Sequence, residues 1–170
     1  MLVLGIDPGY AIVGYGVVKY ENNRFTPVAY GAVTTKAGVE FSTRLNTIYE
    51  DVYAVIERYR PEALSIEKLY FNTNTTTAID VAQARGVILL AARKHNTPIY
   101  EYTPLQVKQS VVGYGRAEKS QVMDMVRRIC GLKSVPRPDD AADAVALALC
   151  HARSSTSLLN RGGREECSTI

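Results

Sequence analysis

The chain has 170 residues, a length that favours one domain with a real core. With 46% hydrophobic and 22% charged residues, a net charge of +3 and a pI of about 8.7, it permits an anionic partner without demanding one. Cys130, Cys150 and Cys167 have no paired spacing, which excludes a disulfide framework or a zinc site and points to a reducing compartment.

The first stretch, Leu2 to Val18, reads LVLGIDPGYAIVGYGVV. Two apolar runs flank Asp7-Pro8-Gly9 and predict two buried antiparallel strands. Asp7 then ends a strand in the middle of a sheet, where a carboxylate loses hydration. An Asx turn explains such an acid as well as chemistry does, and this stretch leaves both readings open.

Asn22-Asn23 marks a second turn, and Phe25 to Thr34 reads as a third strand of a meander. Apolar residues at 41, 45, 48, 49, 52, 55, 56 and 59 predict a helix from Phe41 to Tyr59, ended by Pro61. A short strand, Ala63 to Ile66, runs into Glu67. The polar loop that follows carries the adjacent aromatics Tyr70 and Phe71. A long helix is expected from Ala78 to Lys94, a fifth strand from Pro98 to Tyr102, and a short helix opened by Pro104. Ala117 to Leu132 and Asp139 to Ala152 complete the helices. From Ser154 the chain turns polar and small, so a mobile tail over 154–170 is expected beyond a single domain, 1–153.

The fourth strand follows a helical crossover and should lie parallel to a strand already in the sheet. With the first strand as its neighbour, Asp7 and Glu67 stand side by side at the carboxyl ends of two central strands. Open α/β sheets place their sites there. The last helix adds Asp139, Asp140 and Asp143 within PDDAADAVALALC. Acids in a first helical turn are often caps, but Asp143 lies inside an apolar run. Carboxylates crowded together raise one another's pKa, and a divalent cation relieves them. All-oxygen ligands suit Mg²⁺ or Mn²⁺, and two such ions ~3.5–4 Å apart can drive phosphodiester hydrolysis. Turn, cap and surface roles for these acids remain the structural alternative.

Seven basic residues, Lys108, Arg116, Lys119, Arg127, Arg128, Lys133 and Arg137, lie between positions 108 and 137 against Glu118 and Asp124. Such a run beside a carboxylate site suits a polyanion, although most charge runs are solvated faces. Lys108 and Lys119 flank the Gly113-Tyr114-Gly115 turn, within reach of a backbone phosphate. Tyr70 or Phe71 could stack on an unpaired base, with one of the pair expected in the core. His95 and His151 read as ordinary surface or core histidines. No basic segment precedes the first apolar run, as a signal peptide requires, and no stretch is long enough to span a membrane, so the expected location is cytoplasmic.

Taken together, LGIDPG with GYGV, SIEKLY, AQARGV, QVKQSVVGYGRAEKSQV and DDAADAVALA resemble the RuvC-type Holliday junction resolvases from Leu2 to about His151. The resemblance implies an α/β RNase H-like fold with a mixed five-stranded sheet. It also implies a homodimer, and paired symmetric nicking of four-way junction DNA in recombination and repair with two Mg²⁺ per site. The family's acids fall on Asp7, Glu67, Asp140 and Asp143, leaving Asp139 as an N-cap. Its DNA-contacting lysines fall on Lys108 and Lys119, with Arg116 between them, and its junction-centre aromatic on Tyr70. Branch-migration proteins RuvA and RuvB are the implied partners. A phosphate-binding hairpin of the actin-like fold, another RNase H-like nuclease acting on RNA or hybrids, and a catalytically idle junction-binding module are the competing readings.

Overall fold

A computed structural model describes residues 1–69 and 75–156. In chain order the elements are β1 (Leu2–Asp7), β2 (Ile12–Glu21), β3 (Arg24–Thr34), α1 (Phe41–Tyr59), β4 (Ala63–Glu67), α2 (Thr75–Lys94), β5 (Ile99–Tyr102), α3 (Pro104–Val112), α4 (Lys119–Ile129) and α5 (Asp139–Thr156). The strands form one mixed sheet in the order β3-β2-β1-β4-β5. β1, β2 and β3 pair as an antiparallel meander, and β4 and β5 add in parallel.

Local chemistry explains the turns and ends. Asn22 and Asn23 both take positive φ, 51° and 60°, as a tight hairpin between twisted strands requires. The Glu40 carboxylate caps α1 by accepting from the Ser42 and Thr43 amides at 3.2 and 3.1 Å. Arg60, in the left-handed region, closes that helix by donating its N–H to the Ile56 carbonyl at 2.8 Å. Thr103 and Gln106 form a reciprocal capping box around Pro104 at the head of α3.

The sheet is covered on both faces. Leu4, Ile6, Leu64 and Ile66 point to one side, where they pack with Ile48, Val52 and Ile56 of α1 and Ala84 and Ile88 of α2. Val3 and Val18 point to the other, against α3, α4 and α5. Strand alternation therefore puts residues 3, 5 and 7 of β1 and residues 63, 65 and 67 of β4 on the α5 side. The expected elements are all present. α2 starts at Thr75 rather than Ala78, and α4 spans less than the expected 117–132. α5 continues to Thr156, so the expected tail from Ser154 begins in helix, and the rest of it lies outside the described residues.

Candidate active site

β1 and β4 run parallel with Val3 opposite Ala63, Leu4 opposite Leu64, Gly5 opposite Ser65 and Ile6 opposite Ile66. One further step of that register sets Asp7 beside Glu67. Both stand at carboxyl ends of central strands, and both are on the face that α5 covers.

α5 reaches this face because the sheet beneath it lacks side chains. A Cβ built on Gly5 would collide with the Ala144 carbonyl, and one on Gly14 with the Asp140 carbonyl. One on Gly16 would fall 2.6 Å from Val145 Cγ2. Gly14 is the cross-strand partner of Asp7, so the same contact that seats α5 carries Asp140 to the level of Asp7. Ser65, fully buried, donates its hydroxyl to the Leu147 carbonyl at 2.8 Å and ties the helix to β4.

The electrostatics record the crowding. Burial pushes the Asp7 carboxyl up to about 7, and the charges of Asp143, Glu67 and Asp140 push in the same direction, while Lys119 opposes them. Glu67 is raised for the same reasons, burial first and then Asp143, again opposed by Lys119. Lys119 Nζ lies 2.9 Å from Asp143 Oδ2, and that hydrogen bond holds the ammonium above its usual pKa. Among the described residues, no three His, Cys, Asp or Glu side chains converge closely enough to hold an ion as they stand. The donor chemistry nevertheless fits a hard divalent cation. The set is all carboxylate oxygen, and burial with the neighbouring carboxylates disfavours the ionised form of the innermost member, Asp7, a cost that a bound cation would relieve.

A second arrangement braces the turn after Asp7. Arg44 of α1 donates from Nη2 to the Tyr10 carbonyl at 3.1 Å and from Nε to Thr35 Oγ1 at 2.9 Å. Thr35 Oγ1 in turn donates to the Tyr10 carbonyl at 2.6 Å. The guanidinium also lies over the Tyr10 ring, 4.7 Å from its centroid.

The model for crossover junction endodeoxyribonuclease RuvC matches residues 3–151. The chain is 56% identical over 154 residues to the crossover junction endodeoxyribonuclease RuvC of Ruminiclostridium cellulolyticum, covering 91% of this chain and 93% of that one. It is 53% identical over 167 residues to that of Clostridioides difficile, covering 96% and 99%. A solved structure of Thermus thermophilus RuvC in complex with Holliday junction substrate superposes with a TM-score of 0.87 at 40% identity, covering 91% of this chain and 94% of that one. The chain belongs to the RuvC family.

The RuvC fold is RNase H-like, and the mixed sheet with helices on both faces is its architecture. Of the residues that the RuvC resemblance singled out, the structure brings Asp7, Glu67, Asp140, Asp143 and Lys119 together. Lys108, half-buried on α3, and Arg116, exposed in the following turn, are not among the charges that bear on Asp7 or Glu67. Tyr70 and Phe71 lie outside the described residues. Asp139 is not the cap of α5 but its first residue, and its carboxylate is taken by Arg137 Nη1 at 2.6 Å. The two histidines are structural, as expected. His151 is buried, with Nδ1 2.8 Å from the Tyr102 hydroxyl and its ring against Tyr100. His95 packs on Tyr53.

Sequence reading missed the Arg44 brace and the Gly5, Gly14 and Gly16 track. The track had a signal, three small residues on one face of two adjacent strands. Arg44 had none, since one arginine in an amphipathic helix looks like any other.

Proposed function

We propose that this chain resolves four-way DNA junctions by metal-dependent phosphodiester hydrolysis. The observation that carries the reading is the pairing of Asp7 with Glu67 under a helix that delivers Asp140 and Asp143 to the same end of the sheet. Asp7, Glu67, Asp140 and Asp143 are the residues that would hold two Mg²⁺ ions, with Mn²⁺ as a substitute. Such ions, when bound, activate water and stabilise the departing 3′ oxygen. Hydrolysis forms a bond from water oxygen to phosphorus and breaks the bond to O3′, leaving a 5′ phosphate and a ligatable 3′ hydroxyl.

The chain's own groups do the rest. The buried strand ends fix Asp7 and Glu67 so that no reorganisation is needed at the moment of reaction. Lys119 offsets negative charge as a phosphate enters the cluster. Lys108 and Arg116, which make no ion pair among the described residues, are available to the DNA backbone further out. Tyr70 or Phe71, just beyond Glu67 in sequence, stacks on a base at the junction centre.

Two matched nicks need two matched sites, and a two-fold dimer supplies them. The surface proposed for this is the outer face of α2, where Ile79 is 59% and Leu90 49% exposed. Leu90 and Val87 line a groove there with Leu45 and Tyr49 of α1. Light scattering on dilution tests it: a monomer that still makes paired nicks removes the dimer. RuvA and RuvB, acting on the same junction in the cytoplasm, are the proposed partners. No described helix is long and apolar enough to cross a membrane.

The decisive experiment is cleavage of a synthetic four-way junction with Mg²⁺ by the parent and by Asp7→Asn, with linear duplex and an RNA–DNA hybrid as controls. Symmetric nicks from the parent, with binding but no cleavage from the variant, are expected. Equal cleavage of duplex or hybrid would overturn the substrate assignment.

A further inference from the structure

Lys119 is the first residue of α4, and its ammonium closes the acid cluster from the solvent side. Its side chain is 58% exposed, against 30% for its partner Asp143. Its charge also reaches beyond that partner, stabilising the ionised forms of both Asp7 and Glu67. One ammonium thus bears on carboxylates drawn from β1, β4 and α5, Asp139 among them. A divalent ion that binds those carboxylates would do the same electrostatic work with twice the charge.

We propose that Lys119 is a resident counter-cation, which holds the acid cluster together until metal enters and is then displaced from Asp7, Glu67 and Asp143 toward the DNA backbone. This rests on the metal-binding reading of the four acids given above. The exchange is accessible because the Lys119 ammonium already faces solvent, so water and phosphate can take it up as it leaves the carboxylates. The side chain suits the movement, since a lysine is a compact charge on a flexible four-carbon stem with no fixed fork to unmake. The movement also couples two events. Lys119 becomes available to phosphate only once metal has taken its place, so a loaded site gains a phosphate contact that the empty site keeps occupied.

The consequence can be read without cleavage. Lys119 and the metal compete for the same carboxylates, so removing Lys119 should tighten metal binding. Metal-free protein is titrated with Mn²⁺, and free Mn²⁺ is followed by electron paramagnetic resonance in the parent, Lys119→Gln, Lys119→Arg and Lys108→Gln. Lys119→Gln is expected to bind Mn²⁺ about tenfold more tightly, the effect of losing one close competing charge. Lys119→Arg, which keeps the charge, is expected to stay within about threefold of the parent, as is Lys108→Gln, whose lysine does not bear on Asp7 or Glu67. In chelator, Lys119→Gln should melt below the parent, and Mn²⁺ should raise its melting temperature by more. Because the Lys119 side chain is mostly exposed, the variant keeps its core. Equal or weaker Mn²⁺ binding by Lys119→Gln overturns the proposal and leaves the four-acid reading intact. Equal tightening by Lys108→Gln also overturns it, since the effect would then be one of net charge. Absence of Mn²⁺ binding in every variant overturns the four-acid reading itself, and this proposal with it.

Discussion

The α-carbon of Gly14 lies against the main chain of Asp140, so closely that a Cβ there would occupy the space of the Asp140 carbonyl. Gly14 is also the cross-strand partner of Asp7. Two acids from opposite ends of the chain are therefore set at one level by a residue that has no side chain.

Gly14→Ala should consequently damage the site more than the core. Backbone atoms cannot swing aside as a side-chain tip can, so α5 must lift or tilt. Overpacking of this kind costs about 1–3 kcal/mol. The variant is expected to fold with a lowered midpoint in urea and to lose most of its junction cleavage while retaining junction binding. Full cleavage at parental stability would mean that α5 is seated differently.

Stability without metal should fall as pH rises. The Asp7 carboxyl titrates near 7 in the folded protein against 3.8 as a free side chain, so between those values the folded state holds a proton that the unfolded chain has released. Unfolding free energy in chelator is expected to drop by about 1 kcal/mol between pH 6 and pH 8. Asp7→Asn should flatten the slope, and saturating Mg²⁺ should remove it. His151 acts in another window. Held neutral by burial, with a folded value of about 4, it lowers stability only as pH falls below about 6.5. Denaturant titrations at fixed pH separate the two.

Arg44→Ala should slow cleavage without touching any acid. The Tyr10 carbonyl loses one donor and keeps Thr35, the Thr35 hydroxyl loses the donor that it accepts from, and the guanidinium leaves the Tyr10 ring. A stability loss of about 1–2 kcal/mol is expected from the hydrogen bonds. Looser placement of the turn after Asp7 should reduce single-turnover cleavage roughly tenfold, with junction affinity changed far less. Parental rates would show that the turn holds its shape without Arg44.

Tyr70→Ala and Phe71→Ala should separate the stacking aromatic from its neighbour. A junction carrying 2-aminopurine at its centre reports unstacking as a rise in fluorescence. One variant is expected to lose that signal and about 1–3 kcal/mol of the stacking contribution, while the other keeps it. Loss in neither would remove the aromatic pair from junction recognition.

Much of the architecture was legible because it rests on local chemistry. Pro61, Pro104 and the Asn22-Asn23 pair end or begin elements by backbone restriction, and α1 was bounded correctly by its apolar spacing. The pairing of Asp7 with Glu67 followed from the crossover rule and from both acids ending apolar runs. What was not legible was either a choice between two local partners or a contact between distant parts of the chain. Asp139 looked like a cap because nothing in the sequence weighs a cap against the ion pair that Arg137 offers. The seating of α5 on Gly5, Gly14 and Gly16 required knowing which face of β1 and β2 the helix would cover. The Arg44 brace joins residues 34 positions apart in the chain, and only the assembled fold brings them into contact.

The order in which the acids appear along the chain bears on its synthesis. Asp7 and Glu67 emerge early, but Asp140 and Asp143 sit on the last helix, and that helix needs the completed sheet to seat on. If the four acids hold metal as proposed, a growing chain carries half of that set for most of its translation. On that reading a chain whose last helix has not docked lacks half of its proposed acids, and truncation before Asp140 is expected to abolish cleavage.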